Sequence, residues 1–355
     1  MNDGLKKDVL FLTAISGEIS KTALLTIEKD PKKLQTAINA LCNDGFTKTI
    51  KRDDMYGIRL SAHGKKYMRA LLPQKCASLG AGCGIDKIRY GPENRLRSHK
   101  VSEVITFLYS VGVDVFDEGK NSIKFYSSYD IKDFGKPDES TRIRGSRLAG
   151  MTLDDTGKAL LFYNTGDKPL KWEIVTEERT RKFIKDNVPG VKSISSVMIG
   201  NNQETAFALL KSSGGYQSRF YRVTDKEPDM FFVPRNEQGR MLLQSCFFSD
   251  KIISLKEFIK DKQQIGNTGQ TSTLRCDGFV QSTAYLIAFD FDLRKIKEFK
   301  VGAEARGFKK KIICFDFQKK SLQAFFDNEE IVTVGASQAA HAMNLNYLTE
   351  ETEGG

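Results

Sequence analysis

Residues that build metal centres and disulfide frameworks are scarce in this sequence. Its six cysteines include no Cys-x-x-Cys pair, and its three histidines lie far apart from one another. A structural zinc site needs four such ligands at close spacing, so we expect reduced cysteines and no bound metal. The sequence also lacks the glycine-rich nucleotide-binding motifs and the His-Glu-x-x-His and Gly-x-Ser-x-Gly signatures. Nothing therefore points to a cofactor, and we expect none.

Long apolar runs are also absent. No stretch approaches the roughly 18 apolar residues of a membrane-spanning helix, and the first eight residues lack the apolar core of a signal peptide. We therefore expect a cytoplasmic protein without a membrane partner. The net charge of +10 and the pI near 9.1 favour a polyanionic partner, although charge alone does not separate nucleic acid from an anionic lipid surface.

Helical and strand patterns alternate in a fixed order over the first 75 residues. Two helical segments begin near residues 5 and 20, and a third is marked by Asp30 as N-cap and Pro31 at the first helical position. An apolar stripe runs along that third helix at Leu34, Ile38 and Leu41. A strand hairpin at residues 46–60 and a further helix from residue 61 follow. This order is typical of a winged helix-turn-helix, which we predict for residues 1–75.

The third helix carries lysine and amide side chains opposite its apolar stripe, and the hairpin carries further basic side chains. Such groups suit phosphates and base edges in DNA grooves. The predicted DNA-binding residues are Lys32, Lys33, Gln35, Thr36, Asn39, Lys48, Lys51, Arg52 and Arg59. Gln35, Thr36 and Asn39 are expected to read bases, and the cationic residues to contact phosphates. Winged helices also serve as protein-docking and dimerisation modules, which is the alternative for this domain.

The rest of the chain predicts a mixed α/β body in two parts. Residues 76–91 are rich in glycine and small side chains and suit a linker, and residues 346–355 suit a disordered tail. Residues 92–240 predict an α/β domain with a three-stranded meander, whose third strand would be residues 171–175 and whose closing helix Thr176 would cap. Residues 241–345 predict a small α/β unit, because two apolar strands ending in Phe-Asp-Phe are each followed by a helical stretch.

Three sets of charged residues outside the first domain are candidates for function. Asp290, Asp292 and Asp316 would follow strand ends, where they either cap helices or bind a divalent metal. Arg142, Arg144 and Arg147 would form a second DNA patch, with a structural salt-bridge set as the alternative. The first turn of the helix from residue 92 is also basic, with Arg95, Arg97, His99 and Lys100. A solvated helix end explains that turn as well as a DNA contact does.

A winged helix, a helix containing arginine and histidine, and a strand meander follow one another over residues 5–184. In this order the chain resembles the replication-relaxation family of plasmids and integrative elements in Gram-positive bacteria. The resemblance implies DNA binding and a body related to restriction-endonuclease folds. Active members of that nuclease fold need an acidic residue on one strand and Asp/Glu-x-Lys on the next. Here Asp154 and Asp155 sit at a turn, and Lys171-Trp-Glu173 has the reverse order, so a degenerate core is expected.

We therefore expect a non-enzymatic, sequence-specific double-stranded DNA-binding protein of a plasmid or mobile element. It would act in replication initiation or in conjugative relaxation and transfer, with replication or transfer proteins as further partners, and a homodimer is compatible with it. One alternative is a metal-dependent nuclease or nickase, with Lys171 and Glu173 as catalytic residues and Mg²⁺ as cofactor. The other is a winged-helix transcriptional regulator whose α/β body senses a ligand.

Overall fold

A computed structural model describes residues 4–71, 85, 90–116, 123–135, 143–212, 221, 229–266, 274–327 and 329–344. The chain has a mixed α/β fold that divides into two compact units. The first unit contains Met1–Asn164 and Glu173–Ser195, and the second contains Thr165–Trp172 and Ser196–Gly355. Most of the predicted linker, the predicted tail and Arg142 lie outside the described residues. None of the described helices combines the length and apolar character needed to cross a membrane.

The first unit begins with helices and a small antiparallel sheet, in the order that the sequence predicts. The elements are α1 (Gly4–Ser16), β1 (Ile19–Ser20), α2 (Lys21–Leu24), α3 (Pro31–Asn43), β2 (Thr47–Arg52), β3 (Met55–Leu60) and α4 (Ala62–Leu71). Strand β3 lies between β1 and β2. Asp30 caps α3 by accepting hydrogen bonds from the backbone nitrogens of Lys32 (2.8 Å) and Lys33 (3.3 Å). The β2–β3 turn consists of Asp53 and Asp54, both with positive φ, as a two-residue hairpin loop requires.

A long helix, α5 (Pro92–Ser110), is buried on most of its faces, which include the apolar residues Val101, Val104, Ile105 and Leu108. It contacts α1, α2 and β1. Tyr109 Oη donates a hydrogen bond to Asp8 Oδ1 of α1 at 2.8 Å. On another side, Asn164 Nδ2 donates to the Lys100 carbonyl (2.9 Å) and to Glu103 Oε2 (2.7 Å). Helix α5 is therefore packed against both the N-terminal elements and the strands that follow it.

The meander of the first unit differs from the prediction at one strand. It consists of β4 (Lys124–Ser127), β5 (Leu148–Leu153) and β6 (Lys158–Gly166), which pair antiparallel. The predicted strand at 171–175 is wrong, because helix α6 (Ile174–Asn187) already begins there, and Thr176 is not its cap. The first turn of α6 is held by a tertiary contact, in which Glu177 accepts hydrogen bonds from Ser146 Oγ (2.8 Å) and Arg147 N (2.7 Å).

The second unit contains parallel strands joined by helices. Strand β7 (Ser193–Gly200) enters it at Ser196 and pairs parallel with β8 (Met230–Pro234), and α7 (Glu204–Lys211) connects them. Helices α8 (Glu237–Leu242) and α9 (Lys251–Lys262) follow. Strands β9 (Gly278–Val280), β10 (Thr283–Ile287), β11 (Lys309–Phe315) and β12 (Glu330–Val334) form a four-stranded sheet. Helices α10 (Leu293–Ala305) and α11 (Lys319–Phe326) cross between its parallel strands, as predicted, and α12 (Ala336–Ala342) ends the described chain.

Candidate nucleic-acid interface

Helix α3 has two faces of opposite character. Its apolar stripe, Leu34, Ile38 and Leu41, is completely buried against the rest of the first unit. The opposite face leaves Lys32, Thr36 and Asn39 exposed and Gln35 half-buried. Burial of the apolar stripe fixes the rotation of the helix about its axis, so the polar face is presented to solvent as the sequence predicts.

The polar side chains of this face are joined to one another and to α2. Lys21 Nζ, at the start of α2, donates a hydrogen bond to Gln35 Oε1 at 2.9 Å. Gln35 Nε2 in turn donates to Asn39 Oδ1, one helical turn further on, at 2.9 Å. Lys33 Nζ lies 2.8 Å from Glu28 Oε2, and this contact lowers the pKa of Glu28. Much of the charge of Lys33 is therefore compensated within the protein.

The hairpin carries three exposed cations beside an acidic turn. Lys48, Lys51 and Arg52 are exposed on β2. Lys51 Nζ lies 5.7 Å from the centre of the Tyr56 ring, and Arg52 Nε lies 3.9 Å from Asp53 Oδ1. The two aspartates of the turn thus moderate the positive charge that the sequence suggests for this tip.

Arg59, the ninth predicted DNA contact, is not on the surface. Its side chain is only 7% exposed, and Nε donates a hydrogen bond to Glu18 Oε2 at 2.8 Å. Along β3 it lies between the buried positions Ile58 and Leu60 but faces the other side of the sheet. The prediction of Arg59 as a DNA contact is therefore corrected: this guanidinium is committed to an internal ion pair.

Glu18 is the centre of a buried ion cluster that the sequence does not reveal. Arg95 and His99, both from α5, reach the same carboxylate: Arg95 donates to Oε1 through Nε (3.1 Å) and through Nη2 (2.8 Å), and His99 Nε2 donates to Oε1 at 2.8 Å. Burial alone would raise the pKa of Glu18, but the hydrogen bonds from His99, Arg95 and Arg59 outweigh it and lower the pKa to about 2. The Glu18 cluster, formed by these four residues, thus holds a carboxylate that stays ionised.

Arg95 also attaches α5 to the hairpin. Its Nη1 donates to the carbonyl of Arg52 at 2.5 Å, and its Nη2 donates to the carbonyl of Ile50 at 3.2 Å. Two alternatives were open for the basic first turn of α5, a solvated helix end or a second DNA contact. Neither applies to Arg95, whose side chain is 2% exposed, because it is bonded to Glu18 and to the hairpin backbone.

A glycine in the middle of β3 provides the space for this cluster. A Cβ atom at Gly57 would lie 2.0 Å from Glu18 Oε1, so no larger residue fits without moving the carboxylate. Glycine inside a strand often marks such a close approach. Gly57 is the one sequence signal from which the cluster could have been suspected.

The other predicted cation patch is only partly described. Arg144 and Arg147 have exposed side chains, whereas Arg142 lies outside the described residues. Between them, Ser146 and the backbone of Arg147 bind the buried carboxylate of Glu177, whose pKa burial raises. The backbone of this segment has a structural role, and a phosphate contact by its exposed arginines stays a prediction.

The residues of the nuclease alternative have other roles or stay without a described catalytic partner in the part of the chain that the structure describes. Lys171 and Glu173 do not belong to a described strand, and Glu173 accepts a hydrogen bond from Thr176 Oγ1 in the first turn of α6 at 3.2 Å. Asp154 accepts hydrogen bonds from Thr156 N and Lys158 N, both at 2.9 Å, within the β5–β6 turn. Among the described residues, no three His, Cys, Asp or Glu side chains lie close enough to hold a metal ion.

The three aspartates of the second unit have separate roles. Asp292 caps α10 by accepting hydrogen bonds from Arg294 N (2.9 Å) and Lys295 N (3.0 Å). Burial raises its pKa to about 6. Asp290 Oδ2 lies 2.6 Å from Lys256 Nζ, and Asp316 is exposed. The capping alternative thus holds for Asp292, whereas Asp290 belongs to an ion pair.

No protein-family model, curated protein or solved structure matches the chain.

Proposed function

We propose that this protein binds double-stranded DNA at specific sequences through a winged helix-turn-helix formed by residues 4–71. In this proposal α3 enters the major groove and the β2–β3 hairpin is the wing that follows the phosphate backbone. The proposal rests on the exposed polar face of α3, whose orientation is fixed by the fully buried apolar stripe of the same helix. The exposed cations of β2 add to it. The net charge of +10 supports a polyanionic partner.

The residues proposed to contact DNA fall into two groups. Gln35, Thr36 and Asn39 read base edges from α3, because amides and hydroxyls both donate and accept hydrogen bonds there. The exposed cations contact phosphates, which gives affinity without sequence preference. They are Lys32 and Lys33 on α3 and Lys48, Lys51 and Arg52 on the hairpin. Arg59 is left out because it is bound to Glu18.

The resemblance to the replication-relaxation family suggests a cytoplasmic role on a plasmid or mobile element. The protein would mark a DNA site for replication initiation or for conjugative transfer, and the second unit would bind the proteins recruited there. No metal-binding group among the described residues supports the nuclease alternative. A transcriptional regulator would read DNA in the same way and would differ in its partners.

The proposal is tested by fluorescence anisotropy of the full chain on duplexes from the neighbourhood of its own gene, over a series of salt concentrations. Each phosphate contact contributes about −0.9 to the slope of log K against log salt. The double variant Lys51→Ala/Arg52→Ala is expected to flatten the slope by up to about 2 on every duplex. Its control is Lys309→Ala/Lys319→Ala, which removes the same charge from exposed positions of the second unit.

A control variant with the wild-type slope would support contact through the wing. An unchanged slope in the Lys51/Arg52 variant would refute the wing assignment. If the wild-type chain bound no duplex at any salt concentration, the proposed function would be wrong, and protein docking would become the explanation for the exposed face of α3.

A further inference from the structure

Three polar side chains form a continuous hydrogen-bonded relay across the exposed face of α3. Lys21 Nζ donates to Gln35 Oε1 at 2.9 Å, and Gln35 Nε2 donates to Asn39 Oδ1 at 2.9 Å. Lys21 and Gln35 are half-buried, and Asn39 is exposed. The relay begins on α2, which is capped by Ser20 and packed against the unit, so its first member has a defined position.

The lysine determines which way both amides face. An ammonium group has three donors and no acceptor, so the oxygen of Gln35 must face Lys21. The nitrogen of Gln35 is then directed at Asn39 and can only donate, and the oxygen of Asn39 must therefore be the acceptor. Each amide oxygen thus already accepts a hydrogen bond inside the protein. Each oxygen keeps one lone pair, and three N–H bonds remain for a ligand: both of Asn39 and the second one of Gln35.

A face that offers donors is selective among base edges in the major groove. Guanine presents two acceptors there, N7 and O6, whereas adenine presents one acceptor and one donor. An asparagine or glutamine that reads adenine uses its oxygen for N6 and its nitrogen for N7. To read adenine, Asn39 would have to share the oxygen that already accepts from Gln35, whereas both of its N–H bonds are free for the two acceptors of guanine.

We propose that the Lys21–Gln35–Asn39 relay makes α3 select guanine, with Lys21 as the positioning residue that sets the choice. The inference rests on the proposed DNA-binding function and adds the base that this face recognises. Lys21 acts through Gln35 and contacts no base itself. Without it the Gln35 amide is free to rotate and to offer its oxygen, which would admit adenine.

The test begins with selection of bound duplexes from a randomised pool by the full chain. Anisotropy then measures affinity for the selected site and for variants with each G·C pair replaced by A·T. One bidentate base contact discriminates by roughly 10-fold or more. We expect the wild type to prefer guanine by about 10-fold at one position, and Asn39→Ala to lose that preference there alone.

Lys21→Met should reduce the guanine preference several-fold at that position while leaving the salt dependence of binding unchanged. Lys21→Arg is the conservative rescue, because a guanidinium also only donates, and it should keep the preference. The matched control is Lys66→Met, which removes an exposed lysine of α4 that is not among the proposed DNA contacts. This variant should keep the guanine preference.

Two results would overturn the inference while leaving the proposed function standing. One is selection of adenine, or of no particular base, at the position affected by Asn39→Ala. The other is a Lys21→Met variant that keeps the guanine preference but flattens the salt slope by about 1, as the loss of a phosphate contact would. Absence of duplex binding by the wild-type chain would instead overturn both proposals together.

Discussion

Replacing Glu18 by glutamine tests whether the buried ion cluster stabilises the first unit. The variant keeps the shape of the side chain and resembles the protonated acid, but it removes the charge that Arg59, Arg95 and His99 share. The folded protein lowers the pKa of Glu18 from 4.5 to about 2. At about 1.4 kcal/mol per pKa unit, the ionised form contributes about 3 kcal/mol to the free energy of unfolding at neutral pH. Loss of one member of a buried ion pair typically costs about 3–5 kcal/mol, which agrees.

The pH dependence follows from the direction of this shift. The folded pKa lies below the unfolded value, so the contribution is complete above about pH 4.5 and is lost as the pH falls towards 2. Glu18→Gln should therefore be about 3 kcal/mol less stable than the wild type at pH 7, a little under half of that at pH 3, and within about 0.5 kcal/mol of it near pH 2.

Urea denaturation followed by circular dichroism measures the difference, with an expected fall of roughly 1–2 M in the midpoint at pH 7. The fluorescence of Trp172, which lies in the second unit, serves as an internal reference for that unit. Glu28→Gln is the control, because Glu28 is paired with Lys33 at the surface, and its midpoint should change far less than that of Glu18→Gln. A loss below about 1 kcal/mol in Glu18→Gln, or a gap independent of pH, would refute the reasoning.

Two further variants test neighbouring arguments. Gly57→Ala would place a Cβ atom 2.0 Å from Glu18 Oε1, so it should lower the thermal midpoint and reduce the free energy of unfolding by about 1–3 kcal/mol. Gly4→Ala is its control, because the space around the new methyl group is open. Equal thermal midpoints of the two variants would contradict the argument. Asp292→Asn should stabilise the second unit. The folded pKa of Asp292, about 6, lies above the ordinary 3.8, so its charge lowers stability by about 3 kcal/mol above pH 6 and by progressively less towards pH 4. Asparagine keeps the helix cap, and tryptophan fluorescence in urea at pH 8 and pH 4 measures the gap; destabilisation at pH 8 would contradict the sign.

Helices and strands that are determined by residues close together in the sequence could be predicted from it. Asp30 and Pro31 mark the start of α3, and the spacing of its apolar residues fixes which face is buried. The parallel strands of the second unit were also predictable, because each apolar run and the helix after it follow one another directly. The same locality explains why the exposed positions on α3 and β2 could be identified.

The parts that could not be predicted depend on residues far apart in the chain. Glu18 meets Arg59, Arg95 and His99 across 41, 77 and 81 residues, and no periodicity records such pairings. Arg59 and Arg95 therefore look like surface cations in the sequence. The predicted strand at 171–175 is wrong for the same reason. Its residues alternate in polarity as a strand would, but Glu177, just after them, accepts hydrogen bonds from the distant Ser146 and Arg147. The Lys21 relay likewise joins two helices.

The Glu18 cluster also limits how this protein can evolve by exchange of parts. Glu18 precedes β1, whereas Arg95 and His99 lie on α5, which follows the predicted linker at residues 76–91. A recombination event that replaced residues 1–75 alone would leave Arg95 and His99 buried without their carboxylate. A change in what α3 recognises is therefore expected to arise by point substitution on α3, or by transfer of a segment that extends through residue 110. The segment that has to be exchanged as a whole is therefore longer than residues 1–75.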